Sequence, residues 1–126
     1  MLLITNNPKV REKVEGIPVQ YEEIEYGEVL EVVKKLIIEE KMVLLTHPLS
    51  GSIKPNETYY KSIVLSTKKS EAIDIESLDY IDQALEVYQK FMKNKMRPNW
   101  TERVLEDFAF VDYYLIKDTL VRMHVS

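Results

Sequence analysis

The chain has 126 residues, of which 45% are hydrophobic and 30% charged, and these values are typical of a globular domain and exclude intrinsic disorder. Its net charge is −4, with 17 basic and 21 acidic residues and no basic stripe, which argues against a nucleic-acid partner. It has no cysteine and two histidines, which excludes disulfides and thiolate catalysis and argues against a metal site. We therefore expect a single domain over residues 1–126, with no metal and no cofactor.

The hydrophobic runs are too short for a membrane span. The N-terminus, Met-Leu-Leu-Ile-Thr, lacks the basic segment and the long apolar stretch of a signal peptide. We therefore expect a cytoplasmic protein with no membrane partner.

Hydrophobic periodicity predicts strands and helices that alternate along most of the chain. The second strand changes phase near Ile24, which suggests a β-bulge. The last helix has an aromatic-rich middle that could instead be extended. The predicted elements are strand 2–5, helix 8–14, strand 19–26, helix 28–41, strand 42–46, strand 62–66, helix 74–93 and a helix from residue 102 onwards.

Three helix starts carry capping signals. Asn7 precedes Pro8, which suits the first helical position, and Asp74 and Thr101 are also residue types that cap helices. Ile73 and Leu78 have the spacing of a hydrophobic staple around Asp74.

This order of elements predicts a small α/β fold with a mostly parallel, four-stranded, Rossmann-like sheet in the order 2-1-3-4, flanked by helices and followed by C-terminal helices. In that order, Asn6-Asn7 after strand one and Thr46-His47 after strand three lie side by side. Open α/β sheets bind ligands at the carboxyl ends of such strands, so we expect the two turns to form one site.

The loop between the third and fourth strands, residues 46–58, has the chemistry of an anion site. Gly51 allows a close approach of the backbone, and Lys54 supplies positive charge. The alternative is an ordered structural loop held by Asn, Ser and Pro turns. The expected ligand-binding residues for a small phosphate or carboxylate are Asn6, Asn7, Thr46, His47, Ser50, Gly51, Ser52, Lys54, Asn56 and Glu57.

His47 is the candidate general base of this loop. Ser50 lies three residues away and Glu57 could orient the imidazole, although the G-x-S-x-G motif is absent. The alternative is a structural histidine that is hydrogen-bonded to the backbone.

Several motifs resemble the GrdX family over nearly the whole chain. They are Thr5-Asn6-Asn7-Pro8, the segment Leu45-Thr46-His47-Pro48-Leu49-Ser50-Gly51-Ser52-Ile53-Lys54-Pro55-Asn56-Glu57-Thr58, Tyr60-Lys61-Ser62, Glu76-Ser77-Leu78 and Arg97-Pro98-Asn99-Trp100. The resemblance implies an accessory protein of the glycine, sarcosine or betaine reductase system of amino-acid-fermenting anaerobic bacteria. The reductase uses selenocysteine and cysteine chemistry, and this chain has neither, so a redox subunit is not expected. No catalytic residue carries over.

Three functional hypotheses follow. The first is a non-redox accessory protein that binds a small anion or a reductase subunit through the 46–58 loop. The second is a small transferase or hydrolase that uses His47 on an acyl or phosphoryl substrate. The third is a structural interaction module, such as a homodimer joined through the aromatic C-terminal helix.

Overall fold

The computed structural model describes residues 1–49, 58–94 and 99–124. These residues form four strands and four helices, which confirms the α/β class. In chain order the elements are β1 (Leu2–Thr5), α1 (Pro8–Lys13), β2 (Val19–Tyr21), α2 (Tyr26–Glu39), β3 (Val43–Leu44), β4 (Ser62–Ser66), α3 (Ile75–Asn94) and α4 (Glu102–Arg122).

The sheet is mixed, with the strand order β2-β1-β4-β3. Strands β1 and β2 are parallel, whereas β4 runs antiparallel to both of its neighbours. The predicted mostly parallel sheet in the order 2-1-3-4 is therefore wrong, and this topology gives no support to a Rossmann-like arrangement. Parallel neighbours need a long crossover connection, usually a helix, and the sequence predicts no helix between β3 and β4. Antiparallel pairing of these two strands needs no such connection. The four buried residues of β4 then favour the central position over the short, half-buried β3.

Helix boundaries follow local capping chemistry, and the three predicted caps are confirmed. The side chains of Asn7, Asp74 and Thr101 accept hydrogen bonds from backbone N–H groups of the following turn. The predicted bulge near Ile24 is wrong, because β2 ends at Tyr21, before Ile24. Helix α2 then begins at Tyr26 with a reciprocal capping box between Glu25 and Glu28. The C-terminal segment is helical through its aromatic middle, so the extended alternative is excluded.

Each face of the sheet carries its own core. Ile63 and Leu65 of β4 pack with α2 and α3 in the larger cluster, while Val64 packs in a smaller cluster with residues of α1 and α4. This alternation is the expected consequence of the two-residue period of a strand. Among the described helices, none combines the length and the apolar character needed to cross a membrane.

Candidate functional site

Asn6 joins three segments at the carboxyl end of β1. Its Nδ2 donates to the carbonyl oxygens of Ile24 at 2.8 Å and Tyr59 at 2.6 Å, and its Oδ1 accepts from the backbone N–H of Lys61 at 2.9 Å. Both amide protons and the amide oxygen are thereby used inside the protein. Asn6 therefore holds the start of β4 against β1, and its side chain offers no spare donor to an anion.

Asn7 is committed in a similar way. Its Oδ1 accepts from the backbone N–H of Lys9 at 3.0 Å, and its Nδ2 donates to Ala109 O at 2.7 Å and Asp112 Oδ2 at 2.9 Å. The residue is fully buried, so these bonds satisfy a polar group that would otherwise be costly. Asn7 thus caps α1 and attaches α4 at the same time.

The carboxylate of Asp112 is the acceptor at the centre of a buried polar network. Ser62 donates its single hydroxyl proton to Asp112 Oδ2 at 2.7 Å. The hydroxyl of Thr5, 2.7 Å from that of Ser62, is therefore the donor in their hydrogen bond and accepts in turn from the backbone N–H of Asn7. Burial raises the pKa of Asp112, and the hydrogen bonds from Asn7 and Ser62 and the charge of Lys61 oppose that rise.

Sequence reasoning missed Asp112 as a functional side chain, although a signal was present. The residue interrupts an apolar row of α4 formed by Leu105, Phe108 and Leu115. A lone acid at such a position calls for buried hydrogen-bond partners. Here those partners are Ser62 of β4 and Asn7 in the turn that follows β1.

Lys61 is the second residue that sequence reasoning missed. Only 6% of its surface is exposed, and it directly precedes the buried residues of β4. Burial lowers its pKa to about 8, and the nearby carboxylate of Asp112 limits the drop. A cavity of about 240 Å³ lies beside this lysine. It is lined by Lys61 and Ser62 and by residues of α4, among them Asp112.

The start of the 46–58 loop continues the pairing of β3 with β4. Thr46 is buried, and its Oγ1 accepts from the backbone N–H of Val64 at 3.1 Å. Because β4 lies between β1 and β3, Thr46-His47 does not follow a strand adjacent to β1, and the predicted side-by-side placement with Asn6-Asn7 is wrong. The other predicted loop residues lie outside the described residues: Ser50, Gly51, Ser52, Lys54, Asn56 and Glu57.

The imidazole of His47 is exposed and lies tilted against the ring of Tyr80, with 4.9 Å between their centroids. Its Nδ1 accepts the backbone N–H of Leu49 at 3.1 Å. A neutral imidazole that accepts at Nδ1 carries its proton on Nε2. The Nδ1 lone pair, which a general base would use to take up a proton, is therefore already engaged. This geometry favours the structural histidine, and the role of His47 as a general base stays a prediction.

A second cavity, of about 230 Å³, opens at the carboxyl ends of the parallel strands β1 and β2. Asn6 and Pro8 form one wall, and the rest is aromatic, acidic or apolar: Tyr21, Glu23, Ile24, Glu25, Tyr59 and Tyr60. Burial raises the pKa of Tyr60, and the neighbouring Tyr21 and Tyr59 raise it further. The three phenol groups are therefore close enough to interact electrostatically. No cluster of three or more His, Asp or Glu side chains suited to a metal ion occurs within the described ranges.

The chain matches a known protein family. A family model described as GrdX-like protein matches residues 2–121 of the 126-residue chain. The match covers every described strand and all but the last residue of α4. None of the curated proteins and none of the solved structures matches the chain significantly.

Proposed function

Because the chain belongs to the GrdX-like family, we propose that it is a non-redox accessory protein of the glycine, sarcosine and betaine reductase system that acts by binding a reductase subunit. The family match supports the association with that system. The absence of cysteine from the 126 residues supports a role outside the thiol and selenol chemistry.

The observation that carries a binding role is an exposed apolar face on α4. Four exposed apolar side chains lie on this side of the helix, opposite the buried Ala109, Ile116 and Leu120, and the exposed Asp118 and Arg122 lie among them. Their exposed fractions are 40% for Val111, 55% for Tyr114, 43% for Leu115 and 61% for Val121. Large apolar side chains that are exposed beside charged ones on a helix occur at protein interfaces, and tyrosine is enriched among the residues that dominate binding energy.

The test is a pull-down of purified reductase subunits on the immobilised full chain. Tyr114→Glu and Val121→Glu each put a charge into the α4 face and are expected to reduce capture of one subunit at least tenfold, about 1.4 kcal/mol. Ile75→Glu is the matched control, because Ile75 is even more solvent-exposed, at 71%, but begins α3 instead. Capture that is unchanged by both α4 variants would refute this surface, and no capture of any subunit would refute the function.

The same face could join two copies of the chain, which is the predicted homodimer. Sedimentation velocity over a range of concentrations separates the two arrangements. A dimer that Val121→Glu converts to monomer, without any subunit capture, would show that the face serves self-association.

The 46–58 loop keeps its proposed role as a site for a small anion. Its ends are fixed by the hydrogen bond of Thr46 to β4 and by the bond between Asn6 and the carbonyl of Tyr59. Phosphate, acetyl phosphate or glycine is expected to raise the thermal midpoint, since each would bind the native state alone. Lys54→Gln should abolish that rise, whereas Lys68→Gln, beyond β4, should preserve it. Unchanged midpoints with all three compounds would rule the anion role out.

A further inference from the structure

The second cavity, defined by Tyr21, Glu23, Ile24, Glu25, Tyr59 and Tyr60 with Asn6 and Pro8, has a chemistry that neither the anion role nor the subunit role uses. We propose that it binds a small organic cation of the quaternary-ammonium type, held against the tyrosine rings and balanced by the carboxylates of Glu23 and Glu25. This inference goes beyond the proposed function and does not depend on it.

The aromatic lining is the first argument. Three of the eight lining residues are tyrosines, from β2 and from the segment before β4. The face of a phenol ring carries negative charge density and attracts a cation within about 6 Å of its centre. Rings that come from separate segments can contact one cation from different sides, as in other sites for methylated ammonium groups.

The charge of the lining is the second argument. Glu23 and Glu25 are both acidic, and no described residue that lines the cavity is basic. Glu23 is exposed at the rim, while Glu25 also accepts the N-terminal hydrogen bond of the capping box of α2. Two carboxylates at a small cavity favour a positive ligand and disfavour the phosphate or carboxylate that was predicted for the loop.

A cation already lies on one of these rings. The guanidinium carbon of Arg11 is 4.4 Å from the ring centroid of Tyr21. Arg11 is not part of the cavity lining, to which Tyr21, Tyr59 and Tyr60 all belong. The pairing shows that this end of the sheet provides the electrostatic environment that a cation–aromatic contact needs.

The aromatic part of the lining is what favours an alkylated ammonium group, because aromatic rings are the usual surface for recognition of quaternary ammonium ligands. Asn6, the amide in the lining, already has its oxygen and both protons engaged within the protein and does not add a further polar contact. The size of the cavity, about 230 Å³, lies below that of sites for drug-sized compounds and suits a small ligand.

The location agrees with a ligand site. The cavity lies beyond the carboxyl ends of β1 and β2, the only parallel pair among the described strands. In α/β proteins this end of parallel strands is the usual position of bound ligands.

The test is calorimetric titration of the full chain with choline, with tetramethylammonium and with 3,3-dimethyl-1-butanol, the uncharged isostere of choline. Both cations are expected to bind, and the neutral isostere should bind at least about tenfold more weakly, because it keeps the shape and loses the charge. No detectable binding of either cation, or equal affinity for the isostere, would overturn the proposal.

Three variants locate the site. Tyr60→Leu is expected to weaken choline binding about 3- to 30-fold, as loss of one cation–aromatic contact implies, and Tyr60→Phe should retain binding. Tyr114→Leu makes the same change on the exposed face of α4 and should have no effect. If Tyr60→Leu does not fold, Glu23→Gln decides, because this exposed position tolerates substitution and its lost charge should weaken binding at least twofold. Affinity unchanged in Glu23→Gln and in every folded Tyr60 variant would place the binding elsewhere and overturn the proposal.

Discussion

The two faces of the sheet are held by different interactions. On one face, α2 and α3 cover a cluster that is apolar throughout, including Ile4, Leu30, Val33, Ile63 and Ile81. On the other face, the apolar cluster is smaller, and α4 is also attached by the carboxylate of Asp112 to Asn7 and Ser62. The first face also has polar links, from the backbone N–H of Leu44 to Ser77 Oγ and from Lys34 to Asp82, and its apolar cluster is the larger one. On the second face a carboxylate is the acceptor that joins the helix to the sheet.

The two helices bury and expose apolar side chains in different proportions. On α3, Ile81, Ala84 and Leu85 are buried, whereas Ile75 at its start is exposed. On α4, Asp112 is hydrogen-bonded to Asn7, and Tyr114 and Val121 on the other side of the helix are exposed. This exposed side of α4 is the surface that we propose for binding another protein.

The largest expected effect comes from removing the polar anchor. Asp112→Ala leaves the side-chain donors of Asn7 and Ser62 without an acceptor, so we expect a loss of about 3–4 kcal/mol in the free energy of unfolding. Urea denaturation measures this loss. Asp118→Ala, on the exposed side of the same helix, should cost less than about 0.5 kcal/mol. Equal effects of the two substitutions would mean that α4 is held by its apolar contacts alone.

The next effect is a pH dependence that arises at the end of the sheet. The pKa of Lys61 falls from its ordinary value of 10.5 to about 8 in the folded protein, where the carboxylate of Asp112 from α4 and the ring of Tyr26 from α2 are its neighbours. Between these values the unfolded chain binds more protons, so this group makes stability rise with pH, by at most about 3 kcal/mol.

Urea denaturation at intervals from pH 7 to pH 10.5 tests that rise. In Lys61→Met the contribution should be absent, so the stability of the variant should change less over this interval than that of the parent protein. Lys68→Met, at an exposed position, provides the control for loss of one positive charge. Parallel curves for the parent and Lys61→Met would contradict a lowered pKa.

The features that sequence reasoning predicted correctly are local ones. The caps at Asn7, Asp74 and Thr101 depend on residues within one helical turn, and the helical spacing of α3 and α4 is visible in the sequence. Strand order depends instead on contacts between distant segments. The antiparallel insertion of β4 between β1 and β3 follows from a competition for burial that periodicity cannot rank.

The candidate site shows the same limit. Asn6 and Asn7 were recognised as important because they follow a strand, but apart from the local cap at Lys9 their side-chain hydrogen-bond partners lie 18 to 105 residues away. Because of these internal hydrogen bonds, the side-chain amides of Asn6 and Asn7 connect segments of the protein and have no donor left for a ligand. The second cavity was missed because its tyrosines and glutamates belong to segments that meet only after β1 and β4 pair.

A smaller effect is expected where α2 meets α3. A Cβ atom on Gly27 would overlap the ring of Tyr88, with 2.8 Å to its Cζ, and that ring stacks on Tyr26 with 5.5 Å between centroids. Gly27→Ala should therefore cost about 1–2 kcal/mol, although alanine is the better helix former. Adding Tyr88→Leu should recover part of that cost, and a double-mutant cycle by urea denaturation measures the coupling. Stabilisation by Gly27→Ala alone would show that the two helices can separate to admit the methyl group.

The smallest effect on stability is expected at Val121, where a substitution should change binding but not the free energy of unfolding. This residue is exposed on α4, so Val121→Gln should change the free energy of unfolding by less than about 0.5 kcal/mol. Ile75→Gln, at the start of α3, should be equally neutral in the same urea denaturation. Binding should separate the two variants, because only Val121 lies on the surface that we propose for a partner. Weaker capture of a reductase subunit by Val121→Gln, at unchanged stability and with Ile75→Gln unaffected, would assign the apolar surface of α4 to binding. Equal capture by both variants would show that its exposure has no such role.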